Sequence, residues 1–116
     1  MEPRPLDVDR MQVNAPALKR LVDTIVEELA PAAVWLFGSR AEGRARAESD
    51  YDLLVVVPDD APRTSFDLMR LWDLGRRAGL AADIIPCTAS DFEEEKLEVD
   101  TVPRAAFQRG RLLYER

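Results

Sequence analysis

The sequence predicts an α/β chain of the α+β kind: one domain, a mixed β-sheet with helices packed on it. Three observations carry this. Short and almost wholly apolar runs, Ala32 to Phe37, Leu53 to Val57 and Leu80 to Pro86, have the length and composition of buried strands. Around them lie stretches with apolar residues three and four apart, the pattern of amphipathic helices. The length of 116 residues suffices for one modest core and is too short for two.

Residues 1–13, with prolines at 3 and 5 and mixed charge, read as a loose N-terminal arm, leaving 14–116 as the domain. Asn14 is placed as an N-cap with Pro16 in the first turn. Leu18, Leu21, Val22, Ile25, Val26 and Leu29 then share one helical face, and Pro31 ends the helix. Ala32 to Phe37 is the first strand, with Trp35 assigned to packing. After Gly38, the Ala-, Glu- and Arg-rich stretch Ser39 to Ala47 reads as a short helix followed by a loop. Asp50 to Val57 is the second strand. Pro58 to Pro62 is turn-rich, and a helix beginning near Thr64 or Ser65 carries Phe66, Leu68, Met69, Leu71, Trp72 and Leu74 into the core, stopping at Gly79. Leu80 to Pro86 is the third strand. Thr88 or Ser90 caps an acidic helix from Asp91 to Glu98, Thr101 and Pro103 open a last helix, and Gly110 turns the chain into a final strand, Leu112 to Tyr114.

Composition removes whole classes of chemistry. With no histidine, Ser-His-Asp and Cys-His nucleophile schemes are excluded, as is the commonest zinc ligand. The single cysteine, Cys87, has no internal disulfide partner, which fits a reducing cytoplasm. No apolar run approaches the roughly 20 residues that span a bilayer, and the N-terminus lacks the layout of a signal peptide. A net charge of −6 argues against binding duplex nucleic acid, which needs a basic footprint. Carboxylates, hydroxyls, Arg and Lys remain.

The stretch from Gly38 to Val57 concentrates them. Gly38 and Ser39 follow directly on the first strand, and a glycine between strand and helix lets backbone N–H groups approach an anion. Ten residues on, Asp50 and Asp52 stand at the mouth of the second strand. Residues two apart on a strand point to the same face, so the carboxylates lie side by side. They repel unless a proton or cation sits between them, and a hard divalent ion such as Mg²⁺ is the simplest occupant. A phosphate cradle at one end and an acidic pair at the other describe a nucleotide site. Arg40, directly after Gly-Ser, is a candidate phosphate contact.

This run, Gly38-Ser39-Arg40-Ala41-x-Gly43 with Ser49-Asp50-x-Asp52-Leu53-Leu54 behind it, resembles the minimal nucleotidyltransferase family of the DNA polymerase beta-like superfamily. The resemblance implies that family's fold and a third carboxylate on a later strand, a position that Asp83 matches in order and context. It further implies that Asp50, Asp52 and Asp83 are catalytic and hold two Mg²⁺ ions, with Gly38 and Ser39 on the phosphates of ATP. Chains of this length and motif are similar to the antitoxins of two-gene toxin–antitoxin pairs. The implied acceptor of AMP is then a tyrosine on a partner toxin of the HEPN class. The alternatives are transfer to a small hydroxylated molecule such as an aminoglycoside, and a non-catalytic nucleotide-binding subunit.

Overall fold

The computed structural model describes residues 14–116; the arm expected at 1–13 lies outside them. The first helix, α1 (Ala15–Leu29), begins where Asn14 caps it, its Oδ1 accepting the Ala17 N–H at 3.2 Å. It ends at Ala30, in the left-handed region at φ 45°, directly before Pro31. Then come β1 (Ala33–Phe37), the single turn α2 (Ser39–Glu42), β2 (Tyr51–Val57), a 3₁₀ turn (Arg63–Phe66) and α3 (Leu68–Ala78). The chain closes with β3 (Ala82–Thr88), α4 (Ala89–Glu95), α5 (Val102–Arg109) and β4 (Arg111–Glu115). Thr88 and Thr101 cap α4 and α5 through their hydroxyls, as the sequence predicts.

The four strands form one mixed sheet in the order β3-β2-β1-β4. β1 runs antiparallel to both neighbours, whereas β2 and β3 are parallel, with α3 as the crossover between them. Both faces are covered. Against α1 and α3 lie Leu36, Leu53 and Val55, met by Leu71 and Leu74 of α3; on the other face Trp35, Leu54, Val56, Phe92 and Ala106 form a second cluster. Trp35 is packing, as expected, stacked on Phe92 at 5.8 Å between ring centroids with Phe107 edge-on at 6.4 Å. This alternation fixes where the acidic residues point. Leu53 and Val55 face α1 and α3, so Asp52 shares the α4/α5 face with Leu54 and Val56. Likewise Ile84 belongs to the first cluster and Ile85 packs on the second, which puts Asp83 on Asp52's side.

Two expectations are corrected. The third strand is displaced two residues later than Leu80 to Pro86, because Gly79, at φ 77°, and Leu80 still close the end of α3. More consequentially, Phe66, Leu68, Met69 and Trp72 are exposed and are not core. The carboxylate of Asp67 accepts the Met69 and Arg70 N–H groups and starts the helix there, with Phe66 left in the 3₁₀ turn. Leu71, Leu74, Gly75 and Ala78 then make the inward stripe. Among the described residues no helix is long and apolar enough to cross a membrane.

Candidate active site

Asp52 is the second residue of β2 and sits between two register partners. Across the antiparallel pair it faces Phe37, the residue before Gly38; across the parallel pair it faces Asp83. Strand pairing alone therefore joins the two ends of the Gly-Ser…Asp-x-Asp run and adds the third aspartate. Asp52 is half-buried, whereas Asp50 and Asp83 are exposed. Burial pushes the Asp52 carboxyl above the usual carboxylate range, and the neighbouring charges of Asp83 and then Asp50 push it the same way.

Gly38 touches this group directly. Its backbone, at φ 74° and ψ −157°, lies in a region that essentially only glycine occupies. A Cβ on residue 38 would run into Asp52 Oδ2 and stand 3.3 Å from its Cγ. The carboxylate thus fills the space that glycine leaves. The Gly38 carbonyl accepts the Ala41 and Glu42 N–H groups at 3.1 Å, starting α2, and Ser39 follows at the head of that turn. Gly43, left-handed at φ 74°, closes it.

Arg40, expected as a phosphate contact, turns its side chain into the loop that precedes β2. Its side chain is 5% exposed, and its guanidinium donates to loop carbonyls: Nη2 to Ser49 O at 2.7 Å and Ala47 O at 3.2 Å, Nε to Ser49 O at 3.2 Å. It also lies over the Tyr51 ring, 4.5 Å from the centroid. With Asn14, Tyr51 and Leu80, it lines a cavity of about 500 Å³ that includes none of Gly38, Asp52 and Asp83. The sequence reading missed Tyr51, although alternation along β2 separates its side chain from Asp52. Arg44 and Arg46 are exposed, and Arg44 pairs with Glu42 at 3.4 Å. Burial, then the charges of Glu95 and Asp91, push the Cys87 thiol up to about 12, which disfavours the nucleophilic thiolate.

The donor set fits a divalent cation in its chemistry. It offers hard carboxylate oxygens and a carboxyl whose ionisation is opposed by two neighbouring negative charges. Among the described residues no three acidic groups form a closed ligand cluster.

Residues 18–115 match the family described as the nucleotidyltransferase domain. No curated protein matches the chain. Among solved structures, it is similar to a candidate nucleotidyltransferase from Sulfolobus solfataricus, with a TM-score of 0.63 and 20% identity over 100% of this chain and 93% of that one. It is also similar to a toxin–antitoxin structure with AMP-PNP, with a TM-score of 0.54 and 17% identity over 90% of this chain and 75% of that one. At these identities the two structures establish the fold, while the family match covers both glycine-serine and all three aspartates. The chain belongs to the nucleotidyltransferase domain family.

Proposed function

We propose that this protein transfers AMP from ATP to a tyrosine hydroxyl of a separate helical partner, a toxin of the HEPN class, and so acts as the antitoxin of a cytoplasmic pair. The observation that carries the reaction is the alignment of Asp52 with Asp83 across β2 and β3, with Gly38 pressed against the Asp52 carboxylate. Asp50, Asp52 and Asp83 would hold the metal, and Gly38 and Ser39 would hold the β- and γ-phosphates through backbone N–H groups and the serine hydroxyl. When bound, Mg²⁺ supplies positive charge to the phosphates and acidifies the acceptor hydroxyl.

The chain's own groups do the rest. Asp83, exposed on the edge strand, would take the acceptor's proton. The acceptor oxygen bonds to the α-phosphorus as the bond from that phosphorus to the bridging oxygen breaks, and pyrophosphate leaves. The N–H groups at Gly38-Ser39 stabilise charge that grows on this leaving group.

A protein acceptor is favoured by what surrounds the site. Asp50 and Asp83 are exposed, which leaves them open to an acceptor carried on a protein surface. The acidic balance of the chain repels nucleic-acid acceptors. The fold likeness to a toxin–antitoxin structure with AMP-PNP points the same way. The test is incubation with Mg²⁺, α-labelled ATP and the co-encoded partner, followed by mass spectrometry. Label on a partner tyrosine, lost in Asp52→Asn, supports the reading. Label on added aminoglycosides and on no protein overturns the acceptor assignment.

A further inference from the structure

We infer that Arg40 is a positioning residue: its guanidinium fixes the backbone that delivers Asp50, and it does not bind phosphate. The inference rests on the metal-dependent reading above. A buried cation is costly unless its charge is met, and here it is met by main-chain oxygens. Nε and Nη2 converge on the Ser49 carbonyl at 3.2 and 2.7 Å, and Nη2 also reaches Ala47 O at 3.2 Å. The Ser49 carbonyl belongs to the peptide plane whose nitrogen is that of Asp50, so the fork sets the plane entering the aspartate.

The residue after Asp50 is anchored as well. Tyr51 donates its N–H to Ala81 O at 2.9 Å, its hydroxyl accepts the Asn14 N–H at 2.8 Å, and its ring lies under the guanidinium. Asp50 is exposed and precedes the first ladder residue of β2, so these two neighbours define its backbone. Arg40 reaches them from α2, the turn that Gly38 and Ser39 open, and thus ties the phosphate element to the carboxylate element. Its direction decides against a phosphate contact. The guanidinium packs on Tyr51, whose side chain leaves β2 on the face opposite to Asp52.

The experiment compares wild type with Arg40→Gln and Arg40→Lys, first without metal or nucleotide. In both variants, ¹⁵N relaxation should show order parameters for residues 48–51 falling from about 0.85 toward 0.6. Mn²⁺ affinity, read by electron paramagnetic resonance, should weaken roughly tenfold, as when a ligand loses its supporting contacts. In turnover, kcat should fall, while KM for ATP at saturating metal changes by less than about twofold. Lysine should not rescue, because it keeps the charge and lacks the fork. Should neither variant fold by circular dichroism, Tyr51→Leu, which removes the ring beneath the guanidinium, is read the same way. Unchanged order and Mn²⁺ affinity in a folded variant overturns the inference, as does weaker ATP binding with metal affinity intact. A wild-type protein that binds no Mn²⁺ sinks the metal-dependent reading itself, and is seen before any variant is made.

Discussion

The carboxylate of Asp52 occupies the space where a side chain on residue 38 would begin. Gly38 directly follows β1 and Asp52 is the second residue of β2, fourteen positions apart in the chain; across the antiparallel pair Asp52 faces Phe37, the residue before Gly38. A glycine proposed to bind phosphate is thus also a steric requirement of the aspartate proposed to bind metal.

Gly38→Ala should therefore cost more than a turn glycine would. The backbone region alone carries about 1–3 kcal/mol of strain for a side chain, and the collision with Asp52 adds to it. Combining Gly38→Ala with Asp52→Ala, which removes the colliding oxygen, should recover part of the loss. Urea denaturation of the two single variants and the double one measures the coupling; strict additivity would show that the two residues do not touch. In calorimetry, Gly38→Val should weaken ATP binding more than Ser39→Ala does.

Asp52→Asn should lower transfer activity by roughly two orders of magnitude or more, because it removes a metal ligand and its charge. The same change should stabilise the metal-free fold at neutral pH. The folded-state carboxyl is raised above its unfolded value of 3.8, so its contribution to stability is present below that pH and is lost as pH rises through the folded pKa. The advantage of the asparagine variant should accordingly be absent near pH 3, grow as pH rises, and level off above the raised pKa. Thermal melts across that range check the sign, and a constant difference at every pH would contradict it.

Divalent metal should reverse this balance. At about one hundred times its Kd, a ligand bound only by the folded state stabilises by about 2.7 kcal/mol. Mg²⁺ or Mn²⁺ should therefore raise the Tm of the wild type and leave that of Asp52→Asn nearly unmoved, and EDTA should abolish transfer. Equal metal-induced shifts in both proteins would remove Asp52 from the ligand set.

The two sides of α3 should respond differently. Leu71 is buried, and Leu71→Ala should cost about 2–5 kcal/mol. Trp72 is 58% exposed, and Trp72→Gln should change stability by less than about 0.5 kcal/mol. Paired denaturation curves are the measurement. A large loss in Trp72→Gln would return that face to the core.

Gly110 is required for a different reason. A Cβ there would stand 2.7 Å from Leu36 O and collide with Ala106 O, where the end of α5 crosses close to β1. Gly110→Ala should lower Tm by several degrees, about 4–8 °C for each kcal/mol in a domain of this size. It should leave the Mn²⁺ affinity of the folded fraction intact.

The residues that carry the resemblance to the family stand in the sequence in plain order: Gly38-Ser39, ten residues, Asp50 and Asp52, then Asp83 inside an apolar run. Local chemistry also determined most element boundaries, because Asn14, Pro31, Gly43, Thr88 and Thr101 cap or stop helices through groups within a few residues of themselves. Periodicity placed α1 and the strands for a similar reason: burial of one stripe or one face repeats at a fixed interval. What tertiary structure decided were matters of direction and pairing. That β3 lies beside β2 in parallel, so that Asp83 meets Asp52, depends on a crossover whose pairing register no local spacing encodes. That Trp72 and Met69 face outward depends on which side of α3 packs inward: Leu71, Leu74, Gly75 and Ala78 make the buried stripe, and helical spacing puts Met69 and Trp72 off it. And Arg40, adjacent in sequence to Gly38-Ser39, turns inward to Ser49 and Tyr51 because only the folded loop gathers carbonyls and a ring around a buried cation. Sequence fixes which chemical groups are available, and packing decides which of them face one another.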